Sequence, residues 1–193
     1  MKKISVVIPM YYEEEVVEEC YKRMTNILSH IENYEYEIIC VNDGSKDKTL
    51  TILKEIAEKD QKLKVISFSR NFGHQCAVTA GLKYVTGDVI VIIDADLQDP
   101  PELISDMLKL WEEGNEVIYG KRKTREGESK FKLLTAKMFY HTLNALSDVE
   151  IPKDTGDFRL VDRKVVEVIN SLPEHNKFLR GLFSWVGFEQ KAF

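Results

Sequence analysis

Two aspartates one residue apart, Asp94 and Asp96, stand where an apolar run ends in the segment VIVIIDADLQDPP, Val89 to Pro101. Carboxylates at such a place suit a divalent cation: hard oxygen ligands favour Mg2+ or Mn2+, and those ions in turn favour a diphosphate. If the backbone stays extended past the strand, side chains alternate faces, so that Asp94, Asp96 and Gln98 leave on one side while Ala95 turns into the sheet. In open α/β sheets, ligands bind outside the carboxyl ends of the strands. An Asp-x-Asp arises about once by chance in a chain of this length, and the alternative for this pair is a helix-capping acid beside a solvated one. Its place after five β-branched residues gives the metal reading its weight.

Two further junctions carry groups suited to a nucleotide. Pro9, Tyr11 and Glu13 follow an apolar run at Ile4 to Ile8. Pro9 removes a donor and fixes the exit direction, and Tyr11 offers an aromatic face to a base or ribose, the alternative being a simple turn. Asn42, Asp43, Gly44 and Ser45 follow the next apolar run. The Asp43 carboxylate, an acceptor only, can take the imide N–H of uracil or the amino edge of guanine, or it can cap a helix. No Gly-x-Gly-x-x-Gly and no Gly-x-x-x-x-Gly-Lys is present, so neither a dinucleotide fingerprint nor a P-loop cradles the phosphates. Metal must neutralise them instead.

The elements that position these junctions alternate between short apolar runs and amphipathic stretches. Val16, Val17, Cys20, Tyr21, Met24, Ile27, Leu28 and Ile31 keep helical spacing after the first strand, and Leu50, Leu53, Ile56 and Ala57 do so after Ile38 to Val41, with Ser45 or Asp47 as cap. Val65 to Phe68 precedes a helix around Cys76 to Tyr84; Val89 to Ile93 precedes one carrying Leu103, Ile104, Met107, Leu108 and Trp111, opened by Pro100 and Pro101 and closed by Gly114. Glu116 to Tyr119 reads as a further strand. The pattern predicts one α/β domain over residues 1–193 with a mostly parallel sheet flanked by helices, its 1–99 half holding donor and metal and its 100–193 half facing an acceptor.

Composition narrows the classes. At 44% hydrophobic and 31% charged the chain is too apolar for disorder, and a net charge of -5 argues against a nucleic-acid partner. Cys20, Cys40 and Cys76 form an odd set without Cys-x-x-Cys and read as reduced thiols of a cytoplasmic protein. His30, His74, His141 and His175 lack metal-ligand spacing, so no zinc site is expected. No secretory peptide and no apolar run of about 18 residues is seen.

Taken in order, VVIPMYYEE, VNDGSKDKT, SRNFGHQCAVTAGL, TGDVIVIIDADLQDPPE and TGDFRLVDR resemble the inverting GT-A fold glycosyltransferases of family 2, in particular polyprenyl-phosphate glycosyltransferases such as bactoprenol glucosyltransferases and dolichol-phosphate mannose synthases. The match runs over nearly the whole chain. The resemblance implies that Pro9, Tyr11, Glu13, Val41 and Asp43 line a nucleoside pocket, that Asp94, Ala95, Asp96 and Gln98 hold the metal and the donor diphosphate, and that Arg122 meets phosphate. Tyr12 stands where the family commonly has Asn. The Gln-x-x-Arg-Trp signature of processive relatives is missing, so a single sugar transfer is expected, with a UDP-sugar favoured over a GDP-sugar as donor.

Asp157, in TGDFR, is the candidate catalytic carboxylate beside Asp96, expected to orient the acceptor or the metal-bound donor and only secondarily to accept a proton; its alternative is a turn or capping residue. The stretch KRKTREGESKFK, Lys121 to Lys132, is cationic on an acidic protein. Its Arg125 and Lys130, with Arg159 and Arg180, are the acceptor-side candidates, and the apolar helix expected after it, from Phe131 to Leu146, suits a bilayer surface unless it is an ordinary core helix behind a solvated loop. Lys177 to Trp185 suggests a second acceptor-side helix whose aromatics belong to the core, with His175 also within reach of a lipid phosphate. GFEQKAF reads as the opening of another strand, and a C-terminal membrane segment, common in the family, is absent from this sequence. The expected acceptor is a polyprenyl phosphate at the inner face of the cytoplasmic membrane. The competing readings are a family 2 enzyme acting on a soluble or cell-surface glycan hydroxyl and a sugar-nucleotide binding module without turnover. A nucleotidyltransferase would carry a Gly-rich, lysine-bearing loop where this chain has Pro-Met-Tyr-Tyr-Glu.

Overall fold

The computed structural model describes residues 1–96, 98–121, 155–174 and 176–193. Within them the chain runs β1 (Lys2–Met10), α1 (Val17–Ser29), β2 (Tyr34–Asn42), α2 (Thr49–Ala57), β3 (Leu63–Ser67), α3 (His74–Leu82) and β4 (Val89–Ile92). A 3-10 turn at Pro101–Leu103 then leads into α4 (Ile104–Glu112), followed by β5 (Val117–Lys121), β6 (Thr155–Asp162), α5 (Arg163–Ser171), α6 (Leu179–Trp185) and β7 (Gln190–Ala192). Every strand expected from the apolar runs is present, including the last one.

The seven strands form one sheet in the order β3-β2-β1-β4-β6-β5-β7. β1 lies parallel between β2 and β4, and β2 pairs parallel with β3. The apolar pattern alone carries that parallel order directly into Glu116 to Tyr119, and here the structure differs. β6 runs antiparallel between β4 and β5, and β7 pairs parallel with β5 on the outer side. An antiparallel neighbour begins where a parallel strand ends, so the start of β6 lies beside the end of β4.

Strand periodicity explains the two core layers. Ile4, Val6 and Ile8 of β1, with Ile38 and Cys40 of β2 and Val89 and Val91 of β4, pack against the buried stripes of α1, α2 and α4. Val7, Ile39, Val41, Ile90 and Ile92 point the other way, onto Ala77 and Val78 of α3, Val165 and Ile169 of α5 and Phe183 of α6. Both faces are therefore covered, which is why the strands read as continuous apolar runs rather than alternating ones. The stripe Val17, Cys20, Met24 and Leu28 keeps the spacing of one helical face. Gly114, at φ +104°, follows α4 in the left-handed conformation of a helix stop. All three cysteines are free thiols, Cys20 and Cys40 buried and Cys76 partly so. Among the described residues no helix is long and apolar enough to cross a membrane.

The end of the sheet opposite the loops that follow β1, β2 and β4 is pinned by one carboxylate. Glu37, 2% exposed, accepts from Lys3 Nζ at 2.9 Å, Lys64 Nζ at 2.7 Å, Ser5 Oγ at 2.6 Å, and the Thr86 N–H and Oγ1 at 2.6 and 2.8 Å. These partners come from β1, β3 and the turn entering β4, so four parallel strands share one charged knot.

Candidate active site

A cavity of about 290 Å3 opens at the carboxyl ends of β1, β2 and β4. Pro9, Met10, Tyr11 and Glu13 line it from β1 and its loop, Asp43 from β2, Asn71, His74 and Ala77 from the entry of α3, and Asp94, Ala95 and Asp96 from the end of β4. The loops are cross-braced: the N–H groups of Tyr12, Glu13 and Glu14 donate to Ser45 Oγ, Thr49 Oγ1 and Asp47 Oδ2 at 3.0, 2.9 and 3.3 Å. Asp47 also accepts from the Thr49 N–H at 3.1 Å, although the cap position of α2 is Lys48, whose side chain makes no capping bond.

Asp43 has more to do than its sequence context implies. Only 3% exposed, it accepts the N–H of Phe72 at 2.7 Å and of Gly73 at 2.9 Å, one on each oxygen. It thereby fixes the turn that delivers Asn71 and His74 to the cavity, while each oxygen keeps a lone pair for a ligand donor. Gly44 beside it is at φ +69°, and a Cβ there would fall 2.2 Å from the Arg70 carbonyl carbon. Only glycine lets the two turns approach so closely.

The aspartate pair departs from the extended geometry assumed for it. β4 ends at Ile92 and the chain turns at Ala95 and Asp96, with the Gln98 N–H donating to Asp96 Oδ1 at 3.0 Å. Strand alternation therefore does not sort these side chains. Ala95 is 2% exposed and Asp94 and Asp96 both line the cavity, whereas Gln98 is exposed and off its lining. Val41 is fully buried in the layer under α3 and is likewise off the lining. Desolvation, with the charges of Asp96, Asp94 and Asp47, holds the Glu13 carboxyl above its ordinary range.

A second group of side chains adjoins the first through His74. Its Nε2 is 2.8 Å from Asp94 Oδ1 and its Nδ1 is 3.9 Å from Asp157 Oδ2. The bond to Asp94 pushes the His74 pKa up; burial opposes it, and the charges of Asp94 and Asp157 add to it. Asp157 reaches this place because β6 begins beside the end of β4. Arg180, from α6, grips it with two bonds, Nε to Oδ1 at 2.7 Å and Nη2 to Oδ2 at 2.8 Å. Burial alone would raise the Asp157 pKa, but the Arg180 bonds and charge, helped by His74 and Arg159, hold it below the ordinary carboxylate range. Arg159, 5% exposed, stacks its guanidinium 4.6 Å from the Phe183 ring, and it lines a void of about 10 Å3 with His74, Asp157 and Arg180. His74, Asp94 and Asp157 each offer a ligand atom, all within 4.8 Å of one another.

The structure thus brings together Pro9, Tyr11, Glu13, Asp43, Asp94, Ala95 and Asp96 in one cavity, and Asp157, Arg159 and Arg180 in an adjoining cluster. Arg122, Arg125, Lys130 and His175 lie outside the described residues. Of the helix aromatics assigned to the core, Phe183 is 1% exposed, but Phe178 and Trp185 are 41% and 57% exposed. His74 was missed, since histidine spacing along the chain says nothing of Asp94 and Asp157. The available signal was its place at a third strand-to-helix junction.

Comparison with known proteins agrees with this fold. The family model described as "Glycosyl transferase family 2" matches residues 5–169. The chain belongs to that family. A Bacillus subtilis protein called uncharacterized glycosyltransferase YkcC is 53% identical to this family 2 chain over 188 residues, covering 97% of the chain and 58% of the relative. A prophage bactoprenol glucosyl transferase homolog of Escherichia coli is 43% identical, covering 96% of the chain and 60% of the relative. The family 2 chain thus spans about three fifths of the length of these relatives. Among solved structures, the mannosyltransferase PcManGT of Pyrobaculum calidifontis, in complex with GDP-Man and Mn2+, superposes with a TM-score of 0.67 at 18% identity, covering 100% of the chain and 55% of the other. The fold is the GT-A fold that the resemblance implied.

Proposed function

We propose that the cavity binds a nucleoside diphosphate sugar, a UDP-sugar before a GDP-sugar, and that the whole protein transfers one sugar from it, with inversion, to a polyprenyl phosphate at the inner face of the cytoplasmic membrane. The observation that carries this reading is the composition of the cavity: an aromatic face at Tyr11, an acceptor carboxylate at Asp43 and the Asp94–Asp96 pair, grouped at the carboxyl ends of parallel strands in a family 2 chain. The relatives named bactoprenol glucosyl transferase support a polyprenyl acceptor and transfer of a glucosyl group.

The oxygen donors of Asp94 and Asp96 fit Mg2+ or Mn2+; Gln98, the third expected ligand, would have to turn in from its exposed place off the cavity lining. Such an ion, when bound, neutralises charge gathering on the departing diphosphate. Arg180 already occupies both oxygens of Asp157, which favours the aspartate pair over the His74, Asp94 and Asp157 group as its seat. Tyr11 packs against the nucleoside, and Asp43 accepts from the base edge. On the other side a phosphate monoester, with a second pKa near 6, is mostly dianionic at neutral pH. Its oxygen attacks the anomeric carbon as the bond to the diphosphate breaks, and no proton needs to be removed. Asp157, fixed by Arg180, then orients the acceptor, while Arg159 and Arg180 supply positive charge; Arg122, Arg125 and Lys130 are proposed to meet phosphate groups. A hydroxyl acceptor would instead need Asp157 as base.

A panel of UDP- and GDP-sugars with Mg2+ or Mn2+ tests the donor half: a ligand bound only by the folded form raises the melting temperature, and no rise with any nucleotide would sink the reading. For the acceptor half, Asp157→Asn is compared with Asp96→Ala in a transfer assay. Asp157→Asn is expected to retain measurable transfer to polyprenyl phosphate; loss as complete as that of Asp96→Ala, with donor affinity intact, points to base catalysis instead.

A further inference from the structure

Among the described residues two that are not glycine have positive φ, Asn33 at 66° and Tyr12 at 59°. Asparagine tolerates this left-handed region; a bulky aromatic residue there is an outlier whose strain must be offset elsewhere. Tyr12 is half exposed and belongs to neither core layer, so burial does not offset it. What the conformation achieves is local. Consecutive side chains of extended backbone point to opposite sides, yet the rings of Tyr11 and Tyr12 meet edge to face, with centroids 4.5 Å apart at 71°. The turn at Tyr12, anchored by its N–H on Ser45 Oγ at 3.0 Å, brings the two rings together. Tyr11 lines the cavity with Asp43 and is 44% exposed, so the core does not fix its ring.

We propose that Tyr12 is a positioning residue for nucleoside specificity: its ring braces Tyr11 as the wall against which the donor's base or ribose packs, and the strained backbone is retained for that brace. The inference rests on the donor reading above. An unbraced Tyr11 must be ordered at the moment of binding, which weakens the nucleoside contact but leaves the diphosphate end untouched.

The test compares wild type, Tyr12→Asn and Tyr12→Phe for melting temperature, for affinity toward UDP and GDP with Mn2+, and for affinity toward Mn2+ with inorganic pyrophosphate. Tyr12→Asn relieves the strain and loses the ring. It should melt about 2–4 °C higher without ligand and bind its preferred nucleoside diphosphate roughly two- to tenfold more weakly, with pyrophosphate binding unchanged. Tyr12→Phe keeps ring and strain, losing only the hydroxyl's bond to Tyr11, and should stay closer to wild type than Tyr12→Asn in nucleotide affinity. Nucleotide affinity unchanged in Tyr12→Asn overturns the inference, as does Tyr12→Phe weakened to the same degree, or a parallel loss of pyrophosphate. A wild type indifferent to every nucleotide overturns the donor reading and this inference together, a pattern distinct from the other three.

Discussion

Replacing Glu37 by glutamine removes the charge at the centre of the knot that ties Lys3, Ser5, Lys64 and Thr86 together. Burial raises the pKa of this carboxyl, but donation from Lys64, Ser5, Lys3 and the Thr86 N–H outweighs it and brings it from an ordinary 4.5 down to about 2. Each tenfold in that equilibrium is worth about 1.4 kcal/mol, so the folded state favours the ionised carboxylate by about 3 kcal/mol. A folded-state pKa below the unfolded one gives stability that is complete above about pH 4.5 and fades as the pH falls toward 2. Glu37→Gln is therefore expected to cost about 3 kcal/mol at pH 7, or about 6–12 °C in melting temperature for a chain of this size. Urea unfolding of both proteins from pH 7 to pH 3 measures the gap. It should narrow below pH 4.5, as Glu37 of the unfolded chain takes up a proton while the folded carboxylate, with a pKa of about 2, keeps its charge. A gap constant across that range, or smaller than about 1 kcal/mol at pH 7, would refute the reasoning, since the charge would then contribute nothing beyond what a neutral amide supplies.

Arg180→Lys keeps a cation but loses the two-pronged grip on Asp157; transfer should fall roughly tenfold, while nucleotide binding, measured by calorimetry, stays within about twofold because Arg180 is off the cavity lining. Gly44→Ala puts a Cβ against the Arg70 backbone at positive φ, costing about 1–3 kcal/mol. It should also weaken nucleotide binding by moving the turn that carries Asn71 and His74, which titration of the folded variant would show.

Much of this architecture could be read from local pattern, because each parallel strand and the helix after it carry their own periodicity. The junctions after β1, β2 and β4 were legible for the same reason: polar groups following an apolar run must leave the sheet at its carboxyl edge. β6 was not legible. Gly156, Asp157 and Arg159 interrupt what would otherwise read as a strand, and its place is decided by pairing with β4 and β5, partners remote in sequence. His74 and the Arg180–Asp157 grip escaped similarly, since their partners lie 20 or more residues away and no local spacing encodes such a meeting. The turn at Ala95 and Asp96 shows the converse error, a strand rule carried past the point where the strand ends.

Lys121 of β5 and Thr155 of β6 occupy opposite positions on one rung of the ladder. The peptide linking them therefore departs and returns at neighbouring points, like a handle riveted at both feet to a plate. Doubling the span of such a handle adds only about 0.6 kcal/mol of closure entropy. A stretch of another length could therefore be grafted between those rivets at little cost, while the plate keeps its shape.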